Sequence, residues 1–108
     1  MIYELRIYDC VPGQLPALLN RFENTTLNIF KRIGIRQAGF WTTVIGESNQ
    51  QLIYMLAWES LAERETKWGA FMVDEEWTTK RAASEANGAI VANVSSQFIA
   101  PTAFSSVK

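Results

Sequence analysis

The stretch that decides the fold is 39–65, which reads GFWTTVIGESNQQLIYMLAWESLAERE. Two runs rich in aromatic and branched aliphatic residues flank a polar loop at 47–50, which predicts a β-hairpin with strands over residues 37–46 and 51–58. The second strand leads into Ser60, and Glu63 follows at the spacing of a helix capping box. The stretch therefore predicts a hairpin that runs directly into a helix.

Both faces of this hairpin are apolar. Pairing its strands symmetrically about Ser48 and Asn49 puts seven residues on one face: Trp41, Thr43, Ile45, Leu52, Tyr54, Leu56 and Trp58. The opposite face then carries Phe40, Thr42, Val44, Ile53, Met55 and Ala57. A β-bulge would exchange the faces within one strand, but both faces stay apolar in either register. An antiparallel sheet with one wet face alternates apolar and polar residues, so we expect both faces to be covered.

The rest of the chain supplies two further strands and the helices. Residues 2–8 alternate as a strand, an apolar stripe at helical spacing runs over 15–33, and Gly34 follows as a C-cap. Asp74 is predicted to cap a helix over 75–86, and 91–99 to form the last strand. This βαββαβ order predicts a ferredoxin-like α+β domain over residues 1–108, with a four-stranded antiparallel sheet and its helices on one face. A second copy packed sheet against sheet would cover the other face, so we expect a homodimer.

Composition excludes several classes of function. The ten basic and eleven acidic residues are scattered and give a net charge of −1, so nucleic acid is not expected as a partner. The apolar runs are too short to span a bilayer and the N-terminus has no secretion pattern, which predicts a cytoplasmic protein without membrane contact. Cys10 is the only cysteine, so no internal disulfide is possible.

Histidine is absent from the sequence. This excludes Ser-His and Cys-His nucleophile pairs and histidine ligands for zinc or haem. We expect no metal site and no cofactor. Any acid-base chemistry would have to use a carboxylate with a shifted pKa, a lysine, a tyrosine or the lone thiol.

The first candidate site is on the first strand, where Glu4, Arg6 and Tyr8 share one face. If this face lines the dimer interface, Arg6 can orient an acidic ligand while Tyr8 donates a hydrogen bond to it. The alternative is a structural salt bridge between Glu4 of one subunit and Arg6 of the other, which would fix the register of the dimer.

The second candidate site is on the hairpin. In the symmetric register Trp41, Tyr54 and Trp58 cluster, and such an aromatic wall with a phenol suits a flat organic ligand. The alternative is that these rings simply pack the core. Asn49 can rim the same site, or can be present only for turn geometry. Arg64, flanked by glutamates, is expected to lie on a solvated helix face.

Several motifs together resemble the NIPSNAP family, over essentially the whole chain. They are YELR at 3–6 with Tyr8, PG at 12–13, GFWTT at 39–43, IGE at 45–47, NQ at 49–50, WESLAERE at 58–65, EW at 76–77, and PT with FS at 101–105. One departure is in the third strand, where Tyr54 stands at a position at which the family pattern has histidine.

The resemblance implies a dimeric α+β barrel. Animal members of the family resemble mitochondrial proteins linked to protein interaction and organelle turnover, while the wider barrel group includes cofactor-free monooxygenases, haem enzymes and isomerases. The haem branch uses histidine, which this chain lacks.

Two classes of function follow. The first is a protein that binds a small organic ligand in a pocket beside the sheet, with a cofactor-independent monooxygenase or isomerase as its catalytic form. The second is a non-catalytic dimeric module for protein interaction or sensing. A pocket with Arg6 or Tyr54 unpaired favours the first, and a filled interior in which they bond each other favours the second.

Overall fold

A computed structural model describes the whole chain, from Met1 to Lys108. Its four strands form one antiparallel sheet in the order β2-β3-β1-β4. The strands are β1 (Ile2–Cys10), β2 (Arg36–Thr42), β3 (Gln51–Trp58) and β4 (Val91–Ile99). The predicted βαββαβ order and the ferredoxin-like α+β fold are confirmed.

The helices form two connections. One continuous helix connects β1 to β2. It consists of α1 (Leu15–Arg21), a π-helical turn (Phe22–Thr26) and α2 (Leu27–Ile33). Between β3 and β4 lie α3 (Leu61–Met72) and α4 (Glu75–Ser84). None of these helices has the length and apolar character needed to cross a bilayer.

The helix ends follow the capping residues in the sequence. The backbone N–H of Glu63 donates to Ser60 Oγ at 3.1 Å, and the Glu63 side chain accepts from the backbone N–H of Glu59 at 2.8 Å. Asp74 caps α4 by accepting from the backbone N–H of Trp77 at 3.0 Å. Gly34 has φ 94°, the left-handed conformation that ends a helix with least strain when the residue is glycine.

The helices pack on the sheet face that carries the even-numbered residues of β1 and β3. Four residues of β3 on this face are at most 1% exposed: Leu52, Tyr54, Leu56 and Trp58. The opposite face carries no helix. Leu5 and Ile7 of β1, with their β3 partners Met55 and Ile53, lie there and are half-buried.

The predicted register of the hairpin is wrong. A β-bulge between Gln37 and Phe40 adds one residue to β2, so Phe40 pairs with Tyr54 on the helix-covered face and Trp41 pairs with Ile53 on the open face. Gly39 permits the bulge, because its φ of 124° is a conformation that other residues rarely adopt. The strand also ends at Thr42 rather than at residue 46, since residues 43–50 form an irregular loop.

Candidate functional site

A buried carboxylate organises the helix-covered face of the sheet. Glu4 on β1 is fully buried and accepts five hydrogen bonds. The donors are Arg6 Nη1 and Ser96 Oγ at 2.8 Å, Trp58 Nε1 at 3.1 Å, and Arg64 Nε and Nη2 at 3.2 and 3.3 Å. Two arginines thus surround one carboxylate, which leaves this cluster with a surplus positive charge.

Arg6 connects this carboxylate to two phenols. Its Nε donates to the Tyr54 hydroxyl at 2.8 Å and its Nη2 to the Tyr8 hydroxyl at 3.2 Å, while Tyr54 donates onward to Tyr8 at 3.0 Å. The guanidinium carbon lies 4.4 Å from the ring centroid of Trp68. Since a guanidinium has five N–H groups and three are used here, two remain for another acceptor.

The electrostatics fix the protonation state of this cluster. Burial alone would raise the pKa of the Glu4 carboxyl, but hydrogen bonds from Arg64, Ser96 and Arg6 outweigh it and lower that pKa below its ordinary value. Burial by itself would lower the pKa of the Arg6 guanidinium. The neighbouring phenols of Tyr54 and Tyr8 and the carboxylate of Glu4 outweigh burial and raise that pKa above its ordinary value. Burial also raises the pKa of Tyr54 well above its ordinary value. At neutral pH Glu4 and Arg6 are therefore charged and Tyr54 is neutral.

A cavity of about 400 Å³ lies between the sheet and the helices, beside this cluster. Arg6 and Tyr8 form part of its floor. Its apolar wall consists of aromatic side chains from the helices, namely Phe22, Phe30, Trp68, Phe71 and Trp77. Residues 91–94 of β4 also line it, and since 92–94 are exposed, the cavity opens along this edge strand.

A second charged group borders the cavity where α1 meets the end of α4. Arg21 lies 3.2 Å from Glu85 Oε1 through Nη1, and the same atom is 3.3 Å from Ser84 Oγ. Its guanidinium carbon is 5.4 Å from the ring centroid of Trp77. Arg81 lines the cavity next to this pair. The cavity therefore has cationic groups beside an aromatic wall.

The predicted site residues fall into three groups. Arg6 and Tyr8 line the cavity. Tyr54 and Trp58 lie beneath it in the hydrogen-bonded network and are fully buried. Trp41 is on the opposite face of the sheet and is half-exposed, because the bulge at Gly39 reverses its direction. The predicted cluster of Trp41 with Tyr54 and Trp58 is therefore wrong.

Asn49 also lies away from the cavity. It is exposed in the hairpin loop and its Oδ1 is 3.5 Å from the Gln50 side-chain nitrogen. Gln50 in turn accepts from the backbone N–H groups of Gly13 and Leu15 at 3.1 Å. This loop therefore anchors the start of α1 instead of rimming the cavity.

The predicted salt bridge between Glu4 of one subunit and Arg6 of the other is also wrong. Glu4 and Arg6 pair within one chain at 2.8 Å, on the face covered by the helices rather than on an exposed interface. Arg64 was expected in solvent, but its side chain reaches from α3 to Glu4. The physical reason is the same for both residues: a buried carboxylate is stable only when several donors surround it.

Sequence reasoning missed the helical part of the cavity. Large apolar residues such as Trp68, Phe71 and Trp77 are typical of the covered face of a helix, and this pattern does not distinguish a cavity wall from a filled core. The one available signal was Arg21, which stands three residues after Leu18 and so lies on the apolar stripe of its helix. A charge at such a position indicates a buried functional or structural ion.

Neither nucleophilic nor metal chemistry is indicated elsewhere. Cys10 is buried, and burial raises the pKa of its thiol, which keeps it protonated. No group of three or more His, Cys, Asp or Glu side chains is placed to hold a metal ion.

The sequence pattern of the NIPSNAP family matches residues 3–106. The chain belongs to the NIPSNAP family. A NIPSNAP family protein from Agrobacterium tumefaciens superposes with a TM-score of 0.87 at 24% identity, over 99% of this chain and 98% of that one. An uncharacterised NIPSNAP domain protein from Burkholderia xenovorans gives a TM-score of 0.83 at 22% identity, over 97% and 98% of the two chains.

The fold extends beyond NIPSNAP proteins. A monooxygenase from Streptomyces coelicolor in complex with the ligand nanaomycin D gives a TM-score of 0.66 at 14% identity, over 94% of this chain and 87% of that one. At this identity the likeness shows the fold alone. No curated protein sequence matches the chain.

Proposed function

We propose that this NIPSNAP protein binds a small organic acid in the cavity between its sheet and its helices. The acidic group lies at Arg6 and Tyr8, and the apolar body lies against Trp68, Phe71 and Trp77. The observation that carries the proposal is the placement of Arg6, a buried arginine with two N–H groups to spare at the wall of a 400 Å³ aromatic cavity.

Two features that favour different classes of function occur together: a hydrogen-bonded interior and a cavity. Arg6 and Tyr54 bond each other, as in a filled interior. A cavity large enough for one aromatic ligand nevertheless remains above them. The hydrogen bonds hold the guanidinium in place before a ligand arrives, so little side-chain entropy is lost on binding.

The charges favour an anionic ligand over a neutral one. Arg6 and Arg64 share the single carboxylate of Glu4, so the cluster has one positive charge more than it has negative charges. An acid that accepts the free N–H groups of Arg6 would form charge-assisted hydrogen bonds, which are about twice as strong as neutral ones.

Binding without catalysis fits these groups better than a cofactor-independent monooxygenase or isomerase. General acid-base catalysis at neutral pH is most efficient with a group whose pKa lies near 7. The pKa of Tyr54 is raised well above its ordinary value, and the pKa of Arg6 is also raised. Glu85, the carboxylate that lines the cavity, is engaged by Arg21. The proposal therefore assigns the protein a sensing or carrier role.

Tryptophan fluorescence tests the proposal. The probe is 4-methylphenylacetate, which combines one ring with one carboxylate, and the comparison is its neutral amide. Two of the four tryptophans line the cavity, so the acid should change the emission saturably. The amide should bind at least about tenfold more weakly, because it cannot form the charge-assisted bonds.

A matched pair of variants localises the signal. Trp41→Phe removes the tryptophan on the opposite face of the sheet and should leave the response intact. Trp68→Phe should reduce it. The proposal is rejected if 4-methylphenylacetate does not change the emission at millimolar concentration, or if the acid and its amide bind equally well.

We further propose that two copies pack through the open face of the sheet. Leu5, Ile7, Ile53 and Met55 form a continuous apolar surface there, and Trp41 on the same face is half-exposed. Ile7→Lys should produce a monomer in analytical ultracentrifugation, whereas Ile45→Lys, in the exposed hairpin loop, should leave the dimer intact. A wild-type protein that is monomeric at micromolar concentration contradicts this. A cytoplasmic location stays a prediction from the sequence.

A further inference from the structure

Arg21 has an unused hydrogen-bond donor inside the cavity wall. The residue is 6% exposed, and its Nε is buried without a hydrogen-bond partner, although Nη1 contacts Ser84 and Glu85. No other side-chain nitrogen or oxygen in the chain is both buried and unpaired. A buried unpaired donor costs free energy, so its presence on a residue that lines the cavity calls for an explanation.

The charges around Arg21 repeat the arrangement around Arg6. Arg21 and Arg81 both approach Glu85, with Arg21 Nη1 at 3.2 Å and Arg81 Nε at 4.0 Å from its Oε1. Two arginines again share one carboxylate, so this end of the cavity has its own surplus positive charge. All three residues line the same cavity as Arg6.

The backbone at this end is also unusual. The π-helical turn Phe22–Thr26 begins directly after Arg21, and both Phe22 and Thr26 line the cavity. The Thr26 hydroxyl is 3.4 Å from the carbonyl of Arg21, five residues earlier. Single π-helical turns inside α-helices are found frequently at functional sites.

We infer that the cavity has a second anion subsite at Arg21, formed with Arg81, and that the ligand is a diacid with one acidic group at each end of a short apolar body. One acidic group meets Arg6 and Tyr8, and the other meets the guanidinium of Arg21 beside Arg81. This inference rests on the proposed function, because the first acid and the apolar body occupy the site described there.

Calorimetric titration with 1,4-phenylenediacetate and its half-amide tests the second subsite. The two compounds have the same shape and differ by one carboxylate. The diacid should bind about tenfold more tightly than the half-amide, since only the diacid places a charged acceptor at Arg21.

Two substitutions change the charge at the Arg21 end of the cavity in opposite directions: one removes a cation of α4, and the other removes the carboxylate of Glu85, which directly follows α4. Arg81→Gln should weaken binding of the diacid several-fold and leave the half-amide unchanged, because the half-amide keeps its acid at Arg6. Glu85→Gln should tighten binding of the diacid, since it removes the competing carboxylate. Lys80→Gln, which alters a cation of α4 paired with Glu76 outside the cavity, is the control. Arg81 is half-exposed, so its replacement does not disturb the core.

The outcomes separate the two proposals. If the diacid and the half-amide bind equally, or Arg81→Gln and Glu85→Gln leave diacid binding unchanged, the second subsite is wrong while the proposed function stands. If neither compound binds and simple carboxylates also fail, the proposed function falls as well.

Discussion

The guanidinium of Arg6 lies against the indole ring of Trp68, with its central carbon 4.4 Å from the ring centroid. Trp68 belongs to α3 and Arg6 to β1, so this contact joins a helix to the sheet directly at the cavity. Arg64 approaches the same ring at 5.3 Å. Such contacts hold a cation in one place without neutralising it, which keeps its charge available to a ligand.

Replacing Trp68 with leucine should destabilise the protein by about 1–2 kcal/mol, since a cation–π contact is lost along with apolar packing. Trp68→Phe keeps an aromatic face and should cost less. Urea unfolding followed by circular dichroism measures both changes. Equal losses in the two variants would mean that the stacking of Arg6 on the ring contributes nothing.

Glu4→Gln should destabilise the protein by about 3 kcal/mol, because it leaves two arginines around a neutral group. The control is Glu47→Gln in the exposed hairpin loop, which should change the free energy of unfolding by less than about 0.5 kcal/mol. Urea unfolding at pH 7 compares the two. If both variants unfold at the same urea concentration, the network around Glu4 does not stabilise the fold.

Glu4 should also make stability depend on pH in the acid range. Its pKa is lowered on folding from an ordinary value of 4.5, so the folded state binds this proton less readily than the unfolded state does. The stabilisation is fully present above pH 4.5 and is lost as the pH falls through the lowered pKa. The difference in unfolding free energy between wild type and Glu4→Gln should therefore shrink on acidification. A difference that stays constant from pH 7 to pH 2 would show that this carboxylate has no lowered pKa.

The bulge in β2 should depend on Gly39. A Cβ at this position would lie 2.5 Å from Cη2 of Trp41, and the residue has φ 124°, so Gly39→Ala should destabilise by about 1–3 kcal/mol. Gly69 lies within α3, and a Cβ added there would meet no atom within 4 Å, so Gly69→Ala should stabilise the protein by about 0.5–1 kcal/mol. In thermal unfolding, the melting temperature should fall for Gly39→Ala and rise for Gly69→Ala. Equal melting temperatures would contradict the role assigned to Gly39.

Much of the fold follows from local sequence signals. Ser60, Asp74 and Gly34 mark helix ends, and the structure places all three at helix caps. The bounds predicted for β3 and β4 agree with those observed. A helix cap depends on residues within one turn of the helix end, and a strand depends on the pattern of its own residues, so both can be predicted from a short stretch of sequence.

Sheet-face assignments were less predictable. The alternation of Glu4 and Arg6 shows that they share a face, but not whether helices or solvent cover it. One inserted residue at Gly39 sends Phe40 to the core and Trp41 away from it, and residue types allow both registers. The cavity depends on how α1, α3 and α4 meet, so Arg21 and Trp68 come together only in the tertiary structure.

The indole N–H signals of the four tryptophans, observed in a two-dimensional ¹H–¹⁵N NMR spectrum, test the central claim most directly. Each signal can be assigned with a tryptophan-to-phenylalanine variant. On titration with 4-methylphenylacetate, the Trp68 and Trp77 signals should shift saturably while that of Trp41 stays in place. A spectrum that is unchanged at millimolar acid, or in which only Trp41 responds, would contradict binding of an organic acid in the cavity.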